Sequence, residues 1–257
     1  MKSKIEITEY GSVELFDRWG SDASIAMVTR GSTGSGNKGQ EADRKLFKTL
    51  LRDNHGSPLE FGGLVFKLKM PLYLVAQLQR HRMASYSQKS ARYVEMEMIF
   101  HRPKKWRTQS KINRQMSDVE IESQSKASEA FDSAIAAAVN AYAALLDLGV
   151  SREQARVVLP VATETELYVQ MNLRSLMNFL QLRVAKDAQG EMRVYAEDMQ
   201  NIFKIQFPLL HDLFEVMCEV GGEQKEERMK LWNEKVLMLN QFEEKRREYW
   251  ETQLEVY

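Results

Sequence analysis

A chain of 257 residues with 44% hydrophobic content is long enough for one large domain or two small ones, and apolar enough for a packed core. Its 36 basic and 36 acidic side chains cancel, which excludes a global field that draws in nucleic acid or membrane and leaves anion recognition to local clusters. The opening stretch MKSKIEITEYGSVELF lacks the apolar core of a signal peptide, no apolar run approaches the roughly 20 residues of a membrane span, and the single cysteine excludes an intrachain disulfide, so we expect a soluble cytoplasmic protein.

Residues 4–28 read as short strands followed by a helix ending in Ile25, Ala26, Met27 and Val28. The run from Gly31 to Gly39 reads as a loop. Its GSTGSGNK comes close to a phosphate-binding P-loop, but Asn37 separates Gly36 from Lys38, and Gly39 stands where a magnesium-binding Ser or Thr belongs. Leu46, Leu50 and Leu51 predict a helix over 41–52, and LVFKLKM at 64–70 alternates as a half-buried strand does. Pro71 opens a helix with the stripe Leu72, Val75 and Leu78, which places Arg80, His81 and Arg82 on its last turn. A second extended segment is expected near 93–100, irregular chain over 103–117, and an Ala-rich helix from about 118 to 148 with Gly149 as its C-cap.

Further helices are predicted at 151–159 and 171–183, the latter with Leu173, Leu176, Met177 and Leu180 on one face and Arg174, Asn178 and Gln181 on another. Helical pattern from 188 to 220 is broken only by Pro208, and Gly221 with Gly222 ends it. Residues 223–257 read as a charged helix with Trp232, Val236, Leu239 and Phe242 along one side. The expected architecture is α+β: a helix-rich single domain with a small antiparallel sheet over 1–220, and a charged C-terminal helical extension over 221–257.

The chemistry concentrates around Arg80, His81 and Arg82, which are followed after seven residues by Ser90 and then by Arg92 and Tyr93. Alone, a basic triplet is as readily a solvated helix end. Successive helical residues point about 100° apart, so on a helix the three would reach separate phosphates or separate subunits. Ser90 and Arg92 add a hydroxyl donor and a bidentate guanidinium, a set suited to a phosphomonoester. The stretch QRHRMASYSQKSARY closely resembles the signature of the flavin-dependent thymidylate synthases, which make dTMP from dUMP with FAD, a reduced nicotinamide and methylenetetrahydrofolate.

Three more blocks extend the resemblance in the same order. DNHGSPLE at 53–60 is similar to the family segment whose His and hydroxyl residue approach the flavin, here His55 and Ser57; GVSREQARVVLP at 149–160 is similar to the one whose Arg binds the dUMP phosphate, here Arg156. NLRSLMNFLQLR at 172–183 resembles the helix that supplies flavin-binding side chains, here Asn172, Arg174 and Asn178, and it ends on the Arg that polarises the uracil ring, here Arg183. The resemblance implies that Gln77, Arg80, Gln88, Ser90, Arg92, Arg156 and Arg183 hold dUMP. It implies that Ser32, His55, Ser57, Arg80, His81, Arg82, Gln88, Asn172, Arg174 and Asn178 hold FAD, with NADPH and methylenetetrahydrofolate as co-substrates. It further implies a homotetramer with shared active sites.

Ser87 and Gln88 stand where the family commonly has Asn and Glu, and Asp187 where a His is common, so a neutral amide replaces a carboxylate among the ligand contacts. The four His, at 55, 81, 101 and 211, lack HxxxH or Cys-paired spacing, so no metal site is expected. Cys218 in LFEVMCEV reads as a buried small hydrophobe, and the resemblance implies that Arg183 activates the ring in place of a thiol. A nucleic-acid binder using Arg80, Arg82, Arg92, Lys104, Lys105 and Arg107 lacks the expected basic excess. A non-catalytic flavin or nucleotide binder stays open because of Gln88.

Overall fold

Strict alternation in GLVFKLKMP makes the central strand: Leu64, Phe66, Leu68 and Met70 are wholly buried, while Val65, Lys67 and Lys69 lie on the half-buried opposite face. The computed structural model describes residues 4–6, 11–111, 117–220, 230 and 233–242. The chain gathers into two compact units, Met1–Gly20 with Leu59–Ile202, and Ser21–Pro58 with Phe203–Tyr257.

The first unit carries the strands β1 (Lys4–Glu6), β2 (Ser12–Trp19), β3 (Gly63–Pro71), β4 (Ser85–Gln88), β5 (Arg107–Gln109), β6 (Ser117–Glu120) and β7 (Glu164–Asn172). Five of them form an antiparallel sheet in the order β1-β2-β3-β7-β4, and β5 pairs with β6. The β3–β7 register sets Leu64 opposite Met171, Phe66 opposite Val169 and Leu68 opposite Leu167. All six are buried, and each such side chain contributes about 1.5–3 kcal/mol by leaving water. Tyr195 ties a helix to this sheet by donating its hydroxyl proton to the Lys69 carbonyl at 3.0 Å.

The helices up to residue 220 are α1 (Asp22–Gly31), α2 (Gln40–Arg52), α3 (Leu72–Leu78), α4 (Gln124–Asp147), α5 (Arg152–Ala155), α6 (Leu173–Arg183), α7 (Gly190–Gln206) and α8 (Pro208–Val220). In the second unit Phe47, Leu50 and Leu51 of α2 and Leu210, Leu213 and Phe214 of α8 are buried where those helices pack. The architecture is therefore helix-rich α+β with a small antiparallel sheet, as expected.

Several boundaries differ from the sequence reading. The helix opened by Pro71 stops at Leu78, so the basic triplet follows it in a turn and the 100° argument does not apply. Within 93–100 no strand forms: Tyr93 and Val94 turn back on Ser90, and Phe100 makes an isolated bridge to Thr163. Extended chain falls instead at β4, and β7 precedes α6. The 103–117 region contains β5, and α4 starts at Gln124 because residues 117–120 pair as β6. The 151–159 segment divides into α5 and a 3-10 turn over Arg156–Val158. Gly149 follows α4 with φ +81, a conformation that favours glycine at a helix end. Gly221, Gly222 and Trp232 lie outside the described residues; 233–242 are helical, with Val236 buried and Phe242 exposed.

Candidate active site

Asn172 ends β7 and starts α6, its Oδ1 accepting the Ser175 amide at 2.9 Å, while the Leu173 amide donates to the Gly62 carbonyl at 2.9 Å. The helix entrance is thereby fixed to the residue that precedes β3. From there α6 buries Leu173, Leu176, Met177, Phe179 and Leu180 and leaves Arg174 and Asn178 exposed, with Arg183 half-buried at its end. Arg174 pairs with Glu60 at 2.8 Å.

The basic triplet is shaped from the neighbouring strand. The Tyr86 hydroxyl of β4 lies 2.9 Å from the Leu78 carbonyl and 2.8 Å from that of His81, and its one proton serves either acceptor. Burial pushes its phenol up to about 12. The structure brings His81 to Arg183: the Arg183 Nε donates to His81 Nε2 at 3.1 Å, and the imidazole meets the Phe179 ring edge-on, centroids 4.9 Å apart. Burial, and then the Arg183 charge, lower the His81 pKa; burial lowers that of Arg183.

Arg80 and Arg82 are exposed, with no side-chain hydrogen bond or ion pair among the described residues. Gln77 keeps a buried Oε1 without a hydrogen-bond partner there. Gln88 Nε2 stands 3.5 Å from Thr165 Oγ1. The Ser90 hydroxyl accepts the Arg92 amide at 3.3 Å, Arg92 pairs with Glu153 at 3.3 Å, and Arg156 Nε donates to the Glu153 carbonyl at 3.3 Å. Glu153 thus gathers Arg92 and Arg156. Sequence reasoning passed over it, because its carboxylate meets Arg92 from 61 residues away and its contact with Arg156 is through the backbone carbonyl.

Ser32, His55 and Ser57 belong to the second unit. Ser32 donates to the Thr29 carbonyl at 3.0 Å, His55 is exposed after the left-handed Asn54, and Ser57 opens a 3-10 turn. The Gly-rich loop follows helix α1, whereas a P-loop follows a strand. Cys218 is exposed, correcting the buried reading; desolvation by its surroundings, then Glu215 and Glu219, push its thiol up to about 11, against thiolate chemistry. On α8, His211, Asp212 and Glu215 bring potential ligand atoms within 4.8 Å of one another, a carboxylate-containing trio that His and Cys spacing alone does not register.

Glu164, at the start of β7, is a second group that the sequence reading missed. It is buried, both carboxyl oxygens lack a hydrogen-bond partner among the described residues, and His101 Nδ1 is 3.9 Å away. Burial raises its pKa to about 7, with Lys69 opposing. The folded chain therefore holds the proton more tightly than the unfolded one, a contribution full below pH 4.5 and lost as pH rises through about 7. Glu164→Gln does not titrate, so the wild-type melting temperature should fall relative to the variant's between pH 5 and 8 in calorimetry. Parallel profiles would show that the carboxyl is solvated.

Arg92 and Arg156 thus meet at Glu153 with the Ser90 hydroxyl beside Arg92, and guanidinium groups with a small hydroxyl are the donors that suit a phosphate oxygen. The chain belongs to the thymidylate synthase complementing protein family, whose model matches residues 14–209. It is 38% identical over 214 residues to a flavin-dependent thymidylate synthase of Kosmotoga olearia, covering 82% of this chain and 93% of that protein. It is 37% identical over 211 residues to the Thermus thermophilus flavin-dependent thymidylate synthase, covering 82% of this chain and 78% of that one. Its fold is similar to that of a UMP/dUMP methylase, PolB from Streptomyces cacaoi, in the crystal structure bound with 5-Br dUMP: TM-score 0.74, 31% identity, 81% of this chain and 96% of the other.

Proposed function

We propose that this chain is a flavin-dependent thymidylate synthase that reductively methylates dUMP to dTMP. The observation that carries the reading is the contact from Arg183 to His81, which brings the last residue of α6 to the signature turn. C5 of uracil is a poor nucleophile, and a half-buried guanidinium stabilises negative charge as it develops on the ring. Arg80, Ser90, Arg92 and Arg156 hold the dUMP phosphate. The unpartnered Gln77 Oε1 accepts the ring N3–H, and the Gln88 amide stands where the family's carboxylate contacts both ligands.

The donor set fits FAD. Arg82 and Asn178 are exposed and without hydrogen-bond or ion-pair partners among the described residues, Arg174 is held only at an exposed pair, and Asn172 keeps its amide N–H groups beyond the cap it makes. With Arg80, His81 and Gln88, these are side chains that would hold the cofactor, and the resemblance adds Ser32, His55 and Ser57 to the set. When bound, FAD reduced by NADPH supplies the hydride that completes a methyl group whose carbon comes from methylenetetrahydrofolate.

A homotetramer with shared sites is part of this reading, as is a cytoplasmic location. It is supported by α4, whose 24 residues bury only Tyr142, and by Leu148, Val157 and Val161, which are 80%, 82% and 66% exposed. Among the described residues no helix is long and apolar enough to cross a membrane.

Three measurements test the proposal. The protein should retain flavin absorbance after FAD addition and desalting, form dTMP from dUMP with NADPH and methylenetetrahydrofolate, and sediment as four chains. Assaying UMP beside dUMP addresses the ribose preference, since the structural relative is a methylase of both. Flavin binding without turnover on either nucleotide would favour the non-catalytic reading, and a fully active monomer would remove the tetramer.

A further inference from the structure

We infer that His81 is a positioning residue for Arg183, its neutral imidazole accepting the Arg183 Nε–H so that both terminal guanidinium nitrogens stay free for the substrate ring. The inference rests on the proposed role of Arg183. Its geometric basis is independent of that role, because the imidazole and its attachment are held from three directions. Tyr86 of β4 holds the turn through the carbonyls of Leu78 and His81, Phe179 of α6 meets the ring edge-on, and Arg183, one helical turn beyond Phe179, donates to Nε2.

An arginine side chain donates and never accepts, so the 3.1 Å contact requires a lone pair on His81 Nε2 and places the ring proton on Nδ1. A doubly protonated imidazole has no acceptor and carries a second positive charge toward the guanidinium. The contact therefore exists only while His81 is neutral. With Nε committed, the outer edge of Arg183 remains, and no other hydrogen bond or ion pair engages it among the described residues. That edge is the bidentate face a ring carbonyl would meet.

At the imidazole itself Arg183 supplies the charge and Phe179 is apolar, while Tyr86, which meets the His81 backbone carbonyl, titrates far higher, near 12. The flanking Arg80 and Arg82 are exposed. Burial and the Arg183 charge both hold the imidazole below its ordinary value. The arrangement is thus intact at neutral pH and is lost as pH falls through a value under about 6.5.

The test compares wild type, His81→Ala and His81→Gln as FAD-loaded proteins, with flavin occupancy read from absorbance and dTMP formation measured at saturating dUMP across pH. Glutamine keeps an acceptor oxygen and does not titrate. His81→Ala should lower the saturated rate about tenfold or more, while His81→Gln should recover part of it and lose the acid-side fall. An Ala variant with bound flavin and a wild-type saturated rate, or a Gln variant with an unchanged acid limb, overturns the inference. A second measurement needs no turnover: histidine-labelled protein should show His81 as the Nδ1–H tautomer by NMR, and Arg183→Ala should raise its pKa. The opposite tautomer, or an unmoved pKa, also overturns it. If the NMR results are as expected but wild type makes no dTMP, the proposed function fails and the His81–Arg183 contact stands.

Discussion

Replacing Arg183 by alanine is expected to lower dTMP formation at saturating dUMP by about a hundredfold or more, while the variant still binds FAD and oxidises NADPH. The separation follows from where the charge acts. A group that only held the substrate would, when removed, raise the dUMP concentration required and leave the saturated rate intact. One that stabilises charge developing on the ring lowers the saturated rate itself. Arg183 is the last residue of α6, and the helix is anchored by buried Phe179 and Leu180, so the fold should tolerate its loss. Arg156 gives the contrast: it lies in the exposed 3-10 turn beside Glu153, and Arg156→Ala should chiefly weaken dUMP binding. Steady-state rates of both variants over a range of dUMP decide the matter. A normal saturated rate for Arg183→Ala would move that residue from catalysis to binding.

Gly63→Ala should destabilise the first unit by about 3 kcal/mol or more, lowering its melting temperature by roughly 10 °C. A Cβ at this position would lie 2.2 Å from two ring carbons of Trp19 and 2.4 Å from the Met171 carbonyl oxygen. The indole can swing; the carbonyl cannot, because Gly63 is paired opposite Asn172 on one side and Trp19 on the other. The strain reaches function through the neighbouring contacts, since Gly62 and Asn172 fix the start of α6. Thermal denaturation of the variant tests this, and an unchanged melt would mean that the Met171 carbonyl gives way along with Trp19.

Much of this site is legible in the sequence. The apolar stripe of 171–183 predicts which residues of α6 face inward, and alternation in 64–70 predicts β3, because each element buries one face and the period shows which. The end of α3 is not legible. Gln79, Arg80, His81 and Arg82 include no glycine or proline to stop a helix, and the turn is closed by Tyr86, which lies beyond any capping position. The strand β7 does carry a signal, with Thr165, Leu167, Val169 and Met171 alternating, but its last residue doubles as the N-cap of α6, so a helix predicted from 171 begins too early. Burial of Glu164 is set by the sheet as a whole and leaves no local trace in TETEL.

β4 lies at the margin of the sheet, paired among the described residues only with β7 and just four residues long, with three of them exposed. The turn that presents His81 is fastened to this short margin. Detaching β4 breaks one hydrogen-bonded ladder and leaves the pairings among β1, β2, β3 and β7 untouched, so this opening requires far less free energy than unfolding the unit. Amide protons of β4 should accordingly exchange with solvent well before those of β3, which is bonded on both flanks. The turn that carries His81 therefore hangs on a strand that can part while the other four keep their register.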